Sequence, residues 1–232
     1  MTTSGTATTT FDLNELVEEA YERVGKEMRT GHDLRTARRS LNILFMEWAN
    51  RGVNMWTVEQ GTVSLVADDA AYDLPADTVD LIDFVVRTGS GENQTDASIS
   101  RISVDTYSSI TNKNKTGKPS QLWVHRKSGA TESGGVSYPV ITVWPVPDQA
   151  YTLVYWRLRR IQDAGTGGGK TQDVPFRFVP ALISGLAYHL SFKIPEAAPR
   201  IPLLKSVYVE EFQRAADEDR EKATLSIVPR YR

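Results

Sequence analysis

Apolar positions recur every three or four residues at both ends of this chain and every second residue between them. Near the start, Leu13, Leu16, Val17, Ala20, Tyr21 and Val24 mark one face of a helix, with Asp12, Asn14 and Glu15 at its positive end. Gly25 or the Thr30-Gly31 pair ends it. A second helix opens at His32-Asp33, carries Leu34, Ala37, Leu41, Leu44, Phe45 and Trp48 on one side, and closes at Arg51-Gly52 with glycine in the favoured C-terminal place. A third starts at Pro180, where a missing N–H leaves no helical bond unmade, and carries Leu182, Ile183, Leu186, Ala187, Leu190 and Ile194 before Pro195 stops it. The fourth runs from Pro202 to about Ala223, with Leu204, Val207, Tyr208, Phe212 and Ala215 against a polar side of Glu210, Glu211, Arg214, Asp217 and Arg220. Each helix is expected to bury a single face, so the opening and closing pairs must pack on each other.

From Met55 the period becomes alternating. Strands are expected at 55–60, 62–66, 81–88, 121–126, 140–144 and 151–161, separated by Gly, Pro, Asn and Asp turns. In the last, Val154, Trp156 and Leu158 are expected on the packed face and Tyr155, Arg157 and Arg159 on the wet one. Ser103 reads as the cap of a short helix through Ile110, and 89–98, 128–137 and 165–170 read as loops. The expected fold is therefore α+β: N- and C-terminal helices form a helical bundle with an inserted antiparallel β-sandwich-like domain. Its parts are a flexible arm at 1–10, a discontinuous bundle at 11–54 and 174–223, a β domain at 55–173, and a C-terminal tail at 224–232.

Composition narrows the function classes. With 27 Lys and Arg against 29 Asp and Glu, there is no global positive field to draw the chain onto nucleic acid. A chain without Cys has no disulfide, thiolate nucleophile or cysteine-bound zinc. No apolar run reaches the roughly 20 residues of a membrane span, and no secretion signal opens the sequence. Ala164-Gly165-Thr166-Gly167-Gly168-Gly169-Lys170-Thr171 ends like a phosphate loop, but Ala occupies its first glycine place and Val174-Pro175 interrupts the helix that must follow. His32, His125 and His189 lie on three separate elements, and the acidic runs Asp68-Asp69 and Asp217-Glu218-Asp219 read as solvated faces. Trp123, Trp144 and Trp156 raise a sugar-stacking module, against which core packing is the simpler reading. No catalytic residue, cofactor or metal is expected. Arg35, Arg38 and Arg39 lie off the apolar stripe of their helix and form a basic patch, a solvated face in the simpler reading.

Read together in order, several turns resemble a known family. They are Leu13-x-x-Leu16-Val17, the approach from Trp48 to Trp56, Tyr72-Asp73-Leu74-Pro75, Gly117-Lys118-Pro119, Trp144-Pro145-Val146-Pro147-Asp148, Asp173-Val174-Pro175, and Leu186-Ala187 followed by Tyr208-x-x-x-Phe212. This series resembles the head-to-tail adaptor proteins of tailed bacteriophages, the family that includes tail tubular protein A. The resemblance implies a structural virion protein, assembled in the host cytoplasm. It would form a homo-oligomeric, twelvefold ring between the portal protein and the tail nozzle protein, with double-stranded DNA passing through its lumen without sequence specificity and with no membrane partner. It also implies that the tail docks on the portal through Leu225, Ile227, Val228, Pro229, Arg230, Tyr231 and Arg232, and it makes Arg35, Arg38 and Arg39 candidates to line the lumen. The alternative is a β-sandwich virion module that recognises a glycan or receptor.

Overall fold

A computed structural model describes residues 11–29, 31–52, 55–126, 138–166 and 169–219. Among them the chain is α+β, with five α-helices and two four-stranded sheets. It divides into two compact units, Met1–Trp56 with Ile161–Arg232, and Thr57–Arg160.

In the first unit, α1 (Leu13–Val24) opens on a reciprocal cap: Glu15 N–H donates to Asp12 at 2.9 Å and Asp12 N–H donates to Glu15 at 3.0 Å. It ends at Gly25, whose φ of 91° is a left-handed conformation that favours glycine. Helix α2 (Gly31–Asn50) buries the anticipated stripe from Ala37 to Trp48, and α5 (Ile201–Glu218) buries Leu204, Tyr208, Phe212 and Ala215. The one-faced expectation fails for α4 (Val179–Ser191), where every residue from Ala181 to Ala187 is buried. The reason is its position: α1, α2 and α5 all pack against it, and the four helices share one core. Gly185 lets α2 and α5 approach closely, since a Cβ there would stand 2.8 Å from the Tyr208 ring and 2.9 Å from Leu44.

The return from strand to helix is expected in the β domain, yet residues 161–166 and 169–173 fold with the helices. Ala164 is buried in the helical core and its N–H donates to Asn42 at 2.9 Å. Leu13 N–H donates to the Lys170 carbonyl at 3.1 Å, and the Trp56 indole donates to the Asp173 carbonyl at 3.0 Å. The Lys170 carbonyl thus satisfies a backbone donor at the entrance of α1 that no helix bond reaches.

In the second unit, one sheet has the order β1 (Val58–Leu65), β8 (Tyr151–Arg159), β3 (Thr78–Thr88), β4 (Thr95–Ser98), all antiparallel. The other runs β2 (Ala71–Asp73), β7 (Val140–Trp144), β6 (Gln121–His125), β5 (Ser100–Ile102), with β5 and β6 parallel. The short helix α3 (Val104–Ser109) follows β5 and is capped by Ser103. Three corrections stand out. The two strands expected on either side of Gly61 are one, because Gly61 is not a turn but the seat of the Tyr155 ring, which a Cβ would approach within 2.5 Å. The loop expected over 89–98 contains β4, and β2 and β5 go unseen in the sequence, because three or four residues are too few to display a period.

The third correction concerns β8. Tyr151, Leu153 and Tyr155 face a core that also takes Leu65, Phe84 and Val86 from its own sheet and Leu122, Val124, Ile141 and Val143 from the other. The face expected to be wet is therefore dry at Tyr155. Arg157 and Arg159 continue on that face and are kept from water by carboxylates: Arg157 bridges Glu59 at 2.9 Å and Asp77 at 2.5 Å, and Arg159 reaches Glu59 at 2.6 Å. Val154 is nonetheless buried on the opposite face, so both faces of β8 are covered near its centre.

Candidate functional site

Two exposed stripes lie on the outer sides of α2 and α5. On α2, Arg35, Arg39, Ile43, Met46 and Asn50 are all exposed, with Arg38 half-buried beside them. A helix turns about 100° per residue, which puts these five positions within about 40° of the direction opposite Trp48. They form one continuous stripe, basic at its start, apolar at Ile43 and Met46, and closed by the polar Asn50. Ile43 is 52% exposed and Met46 67%, so the apolar part is bare in the single chain.

The basic part is larger than the sequence indicates. Lys193, just past the end of α4, donates to Ser40 at 2.7 Å, and its pKa is lowered first by burial and then by the charge of Arg39. Because 153 positions separate Lys193 from Ser40, no local motif announces the juxtaposition.

On α5, Pro202, Leu203, Ser206, Val209, Gln213 and Asp217 are all exposed and run as a stripe beside and behind the buried Tyr208 face. Its first half is apolar, with Leu203 64% and Val209 48% exposed. Its second half, from Glu210 to Glu218, carries four carboxylates and a single arginine. Gln213 donates to Asp217 at 3.0 Å, and Arg214 pairs with Glu210 and Glu211, so the acidic half is ordered along its own helix.

The inner sides of these helices are held by a polar cluster. Tyr208 donates to Glu47 at 3.1 Å, His189 Nε2 lies 3.2 Å from the same carboxylate, and Arg51 pairs with it as well. Arg51 also lies 4.4 Å from the Phe212 ring centroid. His189 thus serves as a structural tie between α4 and α2.

The other residues singled out from the sequence have local explanations. His32 is exposed, and His125 stacks on Trp123 with ring centroids 5.2 Å apart. Trp123 also stacks on Tyr107 at 5.2 Å, and the Trp144 indole donates to the Asn112 carbonyl at 3.1 Å. None of Trp123, Trp144 and Trp156 is in the buried core of the second unit, contrary to expectation. Lys170 and Thr171 run along the start of α1, through the Lys170 carbonyl and an Asp12–Thr171 bridge, and not into the helix N-terminus a phosphate loop needs. Among the described residues no group of three or more His, Asp or Glu could hold a metal ion. The tail residues Leu225, Ile227, Val228, Pro229, Arg230, Tyr231 and Arg232 lie outside the described residues, as does the arm at 1–10.

Compared with known protein families, the chain matches the model of the SU10 adaptor protein over residues 12–230. No curated protein matches it.

Proposed function

The chain belongs to the SU10 adaptor protein family of phage head-to-tail adaptors, and from that premise we propose that it forms the ring joining the capsid portal to the tail nozzle. The observation that carries this reading is the family match across nearly the entire chain. In it, the four longer helices act as a bundle that repeats around the ring axis, the two sheets act as a sandwich, and twelve copies enclose the channel through which the genome leaves. The residues past the end of α5, Leu225 to Arg232, dock on the portal. Ile227, Val228 and Tyr231 serve there as apolar anchors, and Arg230 and Arg232 as charge partners.

Two observations favour a scaffold over a chemical role. The helices from both chain ends share one core, so a single rigid element can carry contacts at the beginning and end of the sequence. A formal net charge of −2 suits a channel that must let phosphates pass without gripping them. No helix among the described residues is long and apolar enough to cross a membrane. The arginines that open α2 have two candidate neighbours, the DNA path or the next copy. The bare Ile43 and Met46 on the same stripe favour the next copy, because water and phosphate both leave apolar side chains unpartnered.

The test is imaging of the full chain mixed with the portal of the same virion. A closed ring seated coaxially on the portal is the expected result. A monomer that neither rings nor binds portal would overturn the reading. Deleting Leu225 to Arg232 should release the ring from the portal while the helical far-ultraviolet spectrum is unchanged.

A further inference from the structure

The two exposed stripes of the helical unit match each other. On α2 the positions are 35, 39, 43, 46 and 50, and on α5, read backwards, they are 217, 213, 209, 206 and 202. Both series step by four, four, three and four residues, so with a common rise of about 1.5 Å per residue they stay in register along two antiparallel helices. That register sets Arg35 against Asp217, Arg39 against Gln213 with Glu210 beside it, Ile43 against Val209, Met46 against Ser206 with Leu203 one turn away, and the polar Asn50 against Pro202 at the rim. Basic meets acidic at one end, and the bare apolar side chains meet toward the other. The parallel alternative would leave Ile43 beside Val209 but put Met46 against Gln213 in the acidic half and leave Arg35 facing Pro202.

We propose that the α2 stripe of one copy packs antiparallel on the α5 stripe of the next copy, and that this contact closes the ring; the proposal rests on the ring reading above. Within one chain the two stripes cannot satisfy each other. Trp48 of α2 and Phe212 of α5 meet in the shared core with ring centroids 5.6 Å apart; the α2 stripe lies on the far side of its helix from that contact, and the α5 stripe flanks it with every residue exposed. Two different exposed surfaces that complement each other make a head-to-tail contact, the kind that generates rings instead of closed pairs. Charge gives the direction: Arg35, Arg39 and Lys193 gather on the α2 side, and the carboxylates of the last two turns gather on the α5 side. The apolar part gives the affinity, since Ile43, Met46, Leu203 and Val209 are the exposed large hydrophobic residues of the two helices.

The chain has no cysteine, so introduced thiols report on their own positions. The experiment uses the full-length protein on its portal, with Ile43→Cys and Val209→Cys singly, mixed, and together in one chain. A short bis-maleimide links thiols that face each other. The double variant should give a ladder of covalent oligomers, the mixed single variants dimers only, and each single variant alone no dimer. Adding Arg35→Glu and Arg39→Glu should reduce the ladder about tenfold, and adding Glu210→Arg and Asp217→Arg to those should restore it. Rings without a ladder would overturn this contact and leave the adaptor reading standing. Dimers from Ile43→Cys alone would show a two-fold contact and overturn it too. Crosslinks from Ile43→Cys to portal would assign the stripe to that partner instead. Failure to ring at all would remove both readings together.

Discussion

The indole N–H of Trp48 donates to the hydroxyl of Tyr208 at 3.0 Å, across 160 positions of sequence. Trp48 is wholly buried, and the Tyr208 hydroxyl in turn donates to Glu47 at 3.1 Å, so an apolar core is crossed by one fully used polar chain. Tyr208→Phe would leave the indole donor without its partner in a place water does not reach. The expected loss is about 1–3 kcal/mol. Trp48→Phe should cost more, about 3 kcal/mol, because it also opens a cavity between Phe178 and Phe212. The double variant should lose less than the sum. Urea unfolding followed by far-ultraviolet circular dichroism measures all three.

Gly185→Ala tests whether α4 is gripped as tightly as the distances imply. Alanine favours a helix over glycine by about 1 kcal/mol, which would stabilise an open site. Here the new methyl group meets Tyr208 at 2.8 Å and Leu44 at 2.9 Å in the middle of the core. Overpacking of about 1–3 kcal/mol should win, and the unfolding midpoint should fall. Gly31→Ala, where nothing lies within 4 Å, is the matched control and should not lower it.

Gly61→Ala should weaken the second unit. The methyl group would intrude on the Tyr155 ring within 2.5 Å, at a residue paired with Gly61 in the β1–β8 register. The expected cost is about 1–3 kcal/mol. Gly61→Ala with Tyr155→Leu should recover part of it, since removing the ring tip frees the space. Hydrogen exchange of β1 and β8 amides is the readout.

Acid should loosen the same unit. The hydrogen bond donated by Arg157 is the main reason the Asp77 carboxyl sits below its ordinary pKa. A carboxylate depressed in the fold contributes stability that is complete above its unfolded value and is lost as pH falls through its folded one. Asp77 is part-exposed, so solvent screens the pair and the contribution is small. Asp77→Asn should flatten the decline of the urea midpoint between about pH 5 and pH 3 without changing its sign.

The amphipathic helices at the two ends were legible because each one-sided 3.6 period demands a partner, and the chain offers no other partner of that period. The family was legible through a run of turns, Tyr72-Asp73-Leu74-Pro75 and Trp144-Pro145 among them, whose order outweighs any single one. Lys193 was not legible as part of the α2 basic surface, because nothing in its neighbourhood of sequence points to Arg39.

Periodicity by itself determined that the middle of the chain alternates and that its ends wind into helices, since backbone geometry ties each spacing to one kind of element. Tertiary structure alone decided that the Tyr155 side of β8 is dry as well as the Val154 side. An alternating strand has two faces, and only the arrival of Leu122, Val124, Ile141 and Val143 from the other sheet covered the face of Tyr155. It likewise decided that α4 is buried all round, since burial depends on how many neighbours reach a helix and not on the helix's own pattern.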